Sequence, residues 1–377
     1  MGLYFRRIKK GRKAFLLIVF LMNVYFVHRV LIGPGTTTST RSKEPKLEHN
    51  NRIHLPSGKK LFVYLVQTEK CLPGYITLPE VLGNASSCRC DVIALSFKEI
   101  CEVGPPSHME YTFAPNTSWA SGRNNLYKRV KARSAYLYYI FLDDDIRMAY
   151  NKRATEDMKK ITEIRSFEHF LLNVEPAVGF VNYRVYNQAR WQEYVLKHCR
   201  RKPRPSSYYA MFHFDPLLNA FHKDAIHHIL PYNESYDAQC WWHAQGHIEI
   251  ALEIKFRGQA IMLPSITVFN PRHRDYPQNC GDFEDVLKTA VVREKACAPH
   301  IYRNRTLFEY IIHNPVSYRD NFGLTSCLQV LPHQKIEPYV HFARYSGDRE
   351  SLQDVFYKDE MMEEFPRIAN NRSELLS

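Results

Sequence analysis

Hydrophobic positions in this chain fall into unbroken runs more often than into alternations. Leu61-Phe62-Val63-Tyr64-Leu65-Val66 and Tyr136-Leu137-Tyr138-Tyr139-Ile140-Phe141-Leu142 are continuous apolar or aromatic segments of strand length, and Asp91 to Phe97 and Ala177 to Tyr183 are similar. Continuous runs of this kind mark strands buried on both faces, the central strands of a parallel or mixed sheet. Gln259 to Phe269 alternates weakly and predicts a further strand. Helical spacing appears between these runs. Leu126 and Val130 lie four apart with basic residues between them, which predicts an amphipathic helix starting near Ser121. Ser166 to Leu172 predicts a short helix ended before Pro176, and Ile248, Ala251 and Leu252 mark another, with Glu249 near its start beside Trp242 and Gly246. Cys101 to Trp119 reads as a mixed loop. The predicted fold class is α/β, a Rossmann-like mixed sheet flanked by helices.

The N-terminal part has a different pattern. Ala14 to Ile32 is apolar apart from Asn23, His28 and Arg29, long enough to span a hydrocarbon core, and it follows a block of Arg6, Arg7, Lys9, Lys10, Arg12 and Lys13. Basic residues before the span and few after it predict a cytosolic N-terminus and a luminal remainder. Thr36 to Ser57 is polar and predicts a flexible stem. The expected division is a cytoplasmic tail over 1–13, a transmembrane signal anchor over 14–32, a stem over 33–58, a luminal α/β domain over 59–345, and a C-terminal helix and tail over 346–377. The formal charge of +12 is concentrated in part before the span, so it argues for membrane topology and not for nucleic acid, which is not an expected partner. Five N-glycan sequons begin at Asn84, Asn116, Asn233, Asn304 and Asn371. Nine cysteines without C-x-x-C pairs suit disulfides in an oxidising lumen, with one thiol left over or used between chains, as in a disulfide-linked homodimer; a non-covalent homodimer is the other form considered.

The candidate chemistry is at the end of the second apolar run, which stops on Asp143-Asp144-Asp145. The acids fall at the C-terminal end of a predicted central strand, where open α/β sheets form their ligand crevice. Side chains alternate along an extended chain, so Asp143 and Asp145 face one way and Asp144 another. Two carboxylates on one side suit a hard divalent cation that keeps water and substrate phosphate as its other ligands.

On these residues the sequence resembles glycosyltransferases of the GT-A fold, whose members carry an A-R-N-x-G helix start, an apolar strand and a D-x-D. Here Gly122-Arg123-Asn124 precedes the acid-ended strand by a similar interval, with Gly122 where Ala is usual and Asn125-Leu126 where a Gly would follow. The resemblance implies a transferase that moves a sugar from a nucleotide-sugar donor to a glycan or glycoprotein acceptor. It implies Mn²⁺ or Mg²⁺ on Asp143 and Asp145, with His273 as a further ligand, and Arg123, Asn124 and Asp144 beside the donor. It also implies Glu249 or Asp237 as the acceptor's base if the enzyme inverts. The stretch Phe212 to His222 is a candidate acceptor pocket. With the anchor, the expected location is the Golgi membrane, or the endoplasmic reticulum. Two other classes fit the same acids: a catalytically inactive luminal glycan- or metal-binding protein, and a metal-dependent phosphoesterase.

Overall fold

A computed structural model describes residues 60–133, 136–183, 208–211, 214–271, 276–297 and 330–338. The anchor, the stem, His273 and the C-terminal tail lie outside the described residues. Among the described residues no helix is long and apolar enough to cross a membrane.

The apolar runs form the predicted strands. They are β1 (Phe62–Thr68), β2 (Cys90–Ser96), β4 (Tyr138–Asp143) and β6 (Val178–Tyr183), joined by β9 (Ala260–Phe269). Four shorter strands complete a mixed sheet: β3 (Met109–Phe113), β5 (Arg147–Tyr150), β7 (Tyr209–Ala210) and β8 (Leu218–His222). The order is β3-β2-β1-β4-β8-β6-β9-β5, with β7 also paired to β9. Strands β1 to β4 run parallel, while β8 is antiparallel to both β4 and β6. The chain therefore builds outward from β1 to β3, then returns to place β4 on the other side of β1. That reversal is a topological switch point, and it falls where β4 ends on Asp143, opposite Gln67 of β1.

Three of these elements correct the sequence reading. Strand β3 lies inside the segment expected as a loop. Strand β8 lies inside the segment expected as an acceptor pocket, where Asn219, Ala220, Phe221 and His222 are buried between β4 and β6. Their aromatic and small residues are core packing, and Phe212 and His213 lie outside the described residues. Glu249, expected near a helix start, sits in the third turn of a helix that begins at Trp241.

Helices α1 (Trp119–Lys131), α3 (Lys223–Ile229) and α4 (Trp241–Lys255) cover one face of the sheet. Their core side chains Leu126, Val130, Ile226, Ile248 and Leu252 form one cluster with Val63, Leu65, Tyr139, Phe141 and Phe221 of the strands. Helix α2 (Glu163–Val174) covers the opposite face and passes close to β6, where a Cβ at Gly179 would lie 2.3 Å from Leu171 Cδ2. Helix α5 (Phe283–Cys297) packs on α4. Helix α4 is buried from His243 to Lys255, which is why no polar stripe in the sequence marks its first turns. Disulfides join Cys71 to Cys101, Cys88 to Cys90 and Cys240 to Cys280. The first two staple the chain on either side of β2.

Candidate functional site

Strand β4 ends at Asp143, and Asp144 and Asp145 lie in the turn that follows it. Asp144 is buried, whereas Asp143 and Asp145 are half-buried. The Asp143 N–H donates to Leu217 O at 3.0 Å, so strand pairing with the entry to β8 fixes this backbone to its last residue. Just beyond, the Tyr75 hydroxyl donates to Asp144 O, and the Arg147 guanidinium lies 3.2 Å from the Tyr75 ring centroid. The acid trio is thus held from below by β8 and flanked by a cation on an aromatic face. Neither Tyr75 nor Arg147 was singled out from the sequence, where nothing in their spacing links them.

Arg123 comes from the second turn of α1 and is 2% exposed, while Asp143 is 24% exposed. Its Nη2 donates to Asp143 Oδ1 at 2.6 Å and to Pro216 O at 2.9 Å, and its guanidinium lies 4.4 Å from the Trp119 ring centroid. Burial works against the charge on Arg123, but Asp143 and the Tyr232 hydroxyl hold its pKa above the ordinary arginine value. The sequence placed Arg123 beside a donor. In the structure it grips a carboxylate and a strand-entry carbonyl, so it positions Asp143. Helix α1 approaches the sheet closely here, because Gly122 lies over Gln67: a Cβ at Gly122 would fall 1.9 Å from Gln67 Nε2, which donates to Ser118 O at 2.8 Å.

Asn124 takes a different direction. Its Nδ2 donates to Tyr232 O (2.9 Å) and Glu234 Oε1 (2.7 Å), and its Oδ1 accepts from Tyr232 N–H (2.8 Å). It clasps the 232–234 loop, beside an open groove of about 450 Å³ that Lys128 and Arg293 also line.

Asp237, a candidate base by resemblance, lies at the start of α1. Its Oδ1 accepts from Ala120 N–H at 2.7 Å and its Oδ2 from Ser121 N–H at 2.8 Å, while Ser121 Oγ accepts from Ser118 N–H at 2.9 Å. The start of α1, where open N–H groups and the helix dipole favour an anion, already holds one supplied by the chain itself. Both carboxylate oxygens of Asp237 anchor the start of α1.

Glu249 is 2% exposed, and its Oε1 accepts from Phe214 N–H at 3.4 Å. One turn earlier on α4, Gln245 Nε2 donates to Phe214 O at 3.3 Å. The two side chains hold one peptide segment from both sides. That segment continues through Pro216 and Leu217, which contact Arg123 and Asp143, so α4 is coupled to the acid trio through backbone. Gln245 is a residue the sequence reading missed; its spacing of four from Glu249 is the signal that would have found it. Asn219, part of the stretch expected to line an acceptor pocket, braces the same segment from within. It is fully buried in β8 opposite Phe141, and its Nδ2 donates to Asp215 O at 3.0 Å.

Aromatic rings continue the site towards α4. Trp119 stacks on Trp241 at 6.4 Å, and Trp241 stacks on Tyr276 at 5.5 Å. Among the described residues, three ligand-bearing side chains come close enough to share one ion at Cys240, His243 and Cys280, and not at the acid trio. Two carboxylates nevertheless suffice for magnesium or manganese when phosphate and water complete the shell.

No family model matches the chain, and no curated protein matches it in sequence. Among solved structures it is similar to residues 1–349 of S. aureus TarS, at 11% identity and a TM-score of 0.34 over 78% of this chain and 81% of that one. The same protein in complex with UDP-GlcNAc gives 9% identity and a TM-score of 0.35, over 71% and 79% of the two chains. GalNAc-T7 with UDP, GalNAc and Mn²⁺ gives 9% identity and a TM-score of 0.36, over 83% and 55%. At these TM-scores the likenesses carry nothing further.

Proposed function

We propose that the chain is a metal-dependent glycosyltransferase that moves a sugar from a nucleotide-sugar donor to a glycan or glycoprotein acceptor. The observation that carries this reading is the acid trio at the switch point of an open α/β sheet, with Asp143 locked by a fully buried arginine. The donor set is hard carboxylate oxygen, which fits Mn²⁺ or Mg²⁺ and not a soft cation. Asp143 and Asp145 would hold the ion, with His273 as the proposed further ligand. When bound, such an ion neutralises charge developing on the diphosphate as the glycosidic bond breaks.

The chain's own residues supply position. Arg123 fixes the rotamer of Asp143 through a charge-assisted hydrogen bond. Asp144 turns inward, and its backbone carbonyl receives Tyr75. Gln245 and Glu249 hold the Phe214 segment that runs into β8. Burial gives Glu249 this positioning role, so the proposal routes no proton through it or through Asp237.

We extend the proposal to location: residues 14–32 anchor the chain in the Golgi membrane with the α/β domain in the lumen, a topology supported by the basic block before the span and the sequons after it.

The test is metal-dependent nucleotide release by the purified chain across a panel of nucleotide sugars, with Asp143→Asn and Asp145→Asn alongside. Release from one donor that needs Mn²⁺ or Mg²⁺ and disappears in both variants is the expected result. A folded chain that binds no nucleoside diphosphate and releases nothing across the panel would sink the reading.

A further inference from the structure

At the start of α4 a second set of ligand atoms converges, chemically unlike the acid trio. Cys240 is the N-cap residue of α4, His243 lies in its first turn, and Cys280 arrives from the segment before α5. One ligand atom from each lies within 4.8 Å of the others, with Cys240 and His243 buried and Cys280 exposed. The two sulfurs are joined as a disulfide. We propose that Cys240, His243 and Cys280 form a thiolate–imidazole site for a soft divalent cation of the zinc class, filled when that disulfide is reduced.

Three observations support the assignment. First, the backbone around the sulfurs is held by contacts other than the disulfide. Cys240 forms a bridge with Gln278, Trp241 stacks on Tyr276, and Trp242 Nε1 donates to the Tyr276 hydroxyl at 3.1 Å. After reduction these contacts still hold the two backbone segments together, and the sulfurs, no longer bonded, rotate apart to the separation that two thiolates on one metal ion require. Second, the His243 ring is fixed, packing edge-on against Tyr236 at 5.3 Å. Third, a thiolate at the first residues of a fifteen-residue helix is favoured by the positive end of the helix dipole. Two thiolates and an imidazole select zinc over magnesium or manganese, so the site would not compete with the acid trio for its ion.

The chemistry balances with a dithiol as reductant. A dithiol thiolate attacks the exposed Cys280 sulfur, and Cys240 leaves as thiolate. The second dithiol sulfur then displaces Cys280, giving a cyclic disulfide and two protein thiols. Those thiols release two protons to water as the two sulfur–metal bonds form, and His243 donates a ring-nitrogen lone pair.

The full chain, reduced with dithiothreitol without oxygen and freed of reductant, is titrated with Co²⁺ and then Zn²⁺. A sulfur-to-cobalt charge-transfer band that zinc abolishes, and that is absent from the oxidised chain, is the expected result. It should disappear in Cys240→Ser and Cys280→Ser. His243→Ala keeps both sulfurs and the disulfide, so it can be shown to fold before reduction, and its affinity should fall at least ~10-fold. No band in the reduced chain, a band that survives unchanged in Cys280→Ser, or a band already present in the oxidised chain would each overturn the proposal. Undiminished affinity in a folded His243→Ala would do the same. Carboxylate-bound cobalt gives no such band, so the outcome is independent of the acid trio.

Discussion

Two carboxylate–arginine pairs sit on opposite faces of the same sheet. On the α1 face, Arg123 meets Asp143 at the strand end, with the arginine sealed and the carboxylate partly open. On the α2 face, Glu168 meets Arg165 at 2.5 Å and accepts from the Tyr64 hydroxyl at 2.8 Å, and here the carboxylate is the sealed partner, at 6% exposure. Burial pushes the Glu168 carboxyl up to about 7, more than Arg165 and Tyr64 pull it down. Arg165 also donates to Val81 O and Cys88 O, tying α2 to the loops that follow β1. The same two functional groups therefore make a scaffold where the acid is enclosed and a site where it is presented. What separates them is which member of the pair the fold leaves open to solvent, and only an open acid can take a ligand.

The largest expected effect that would break this contrast is Asp143→Asn. It leaves a buried guanidinium without its counter-charge and should cost ~3 kcal/mol in urea unfolding, besides abolishing transfer. Wild-type stability in this variant would show that the pair does not lock the site. Next is Glu168→Gln. The native carboxyl keeps its proton to about 7, whereas the unfolded one releases it near the ordinary 4.5. The native state holds more protons across that window, so wild-type stability should fall as pH rises from about 4.5 to about 7, by on the order of 3 kcal/mol, and then level off. The Gln variant should show a flatter profile; superimposable curves would rule out Glu168 as the source.

Asn124→Ala leaves the buried Tyr232 N–H without its partner and should cost ~2 kcal/mol. Nucleotide affinity should stay unchanged, as measured by calorimetry on the folded variant, and a selective loss of affinity would return Asn124 to the donor. Asp237→Ala removes the cap of α1 and should cost ~1 kcal/mol, read as a shift in the unfolding midpoint. Asp145→Asn should move stability by no more than ~0.5 kcal/mol while abolishing metal-dependent release. Retained release would remove Asp145 from the metal site.

The sheet was legible because its central strands are buried on both faces, and such strands are written as continuous apolar runs. Strands β3, β5 and β7 were not, because short edge or terminal strands carry no run long enough to notice. The position of the acids at the end of β4 followed from the same run. Asp237 could not be read as a cap, because the N–H groups it serves lie 116 and 117 residues earlier. Glu249 was misplaced along α4 because a helix buried all round gives no amphipathic stripe to mark its first turn. Gln245 was hidden for a related reason: its partner is a backbone group of a segment 31 residues away in sequence, and backbone leaves no letter to match.

The contact between Asp237 and α1 also has a consequence for the order of events as the chain is made. The first turn of α1 cannot be completed from local sequence alone. At ~5–20 residues per second, the ribosome needs on the order of 10 s to go from Ala120 to Asp237. For that interval the nascent helix carries an open, anion-seeking end, and it is the arrival of a distant aspartate that closes it.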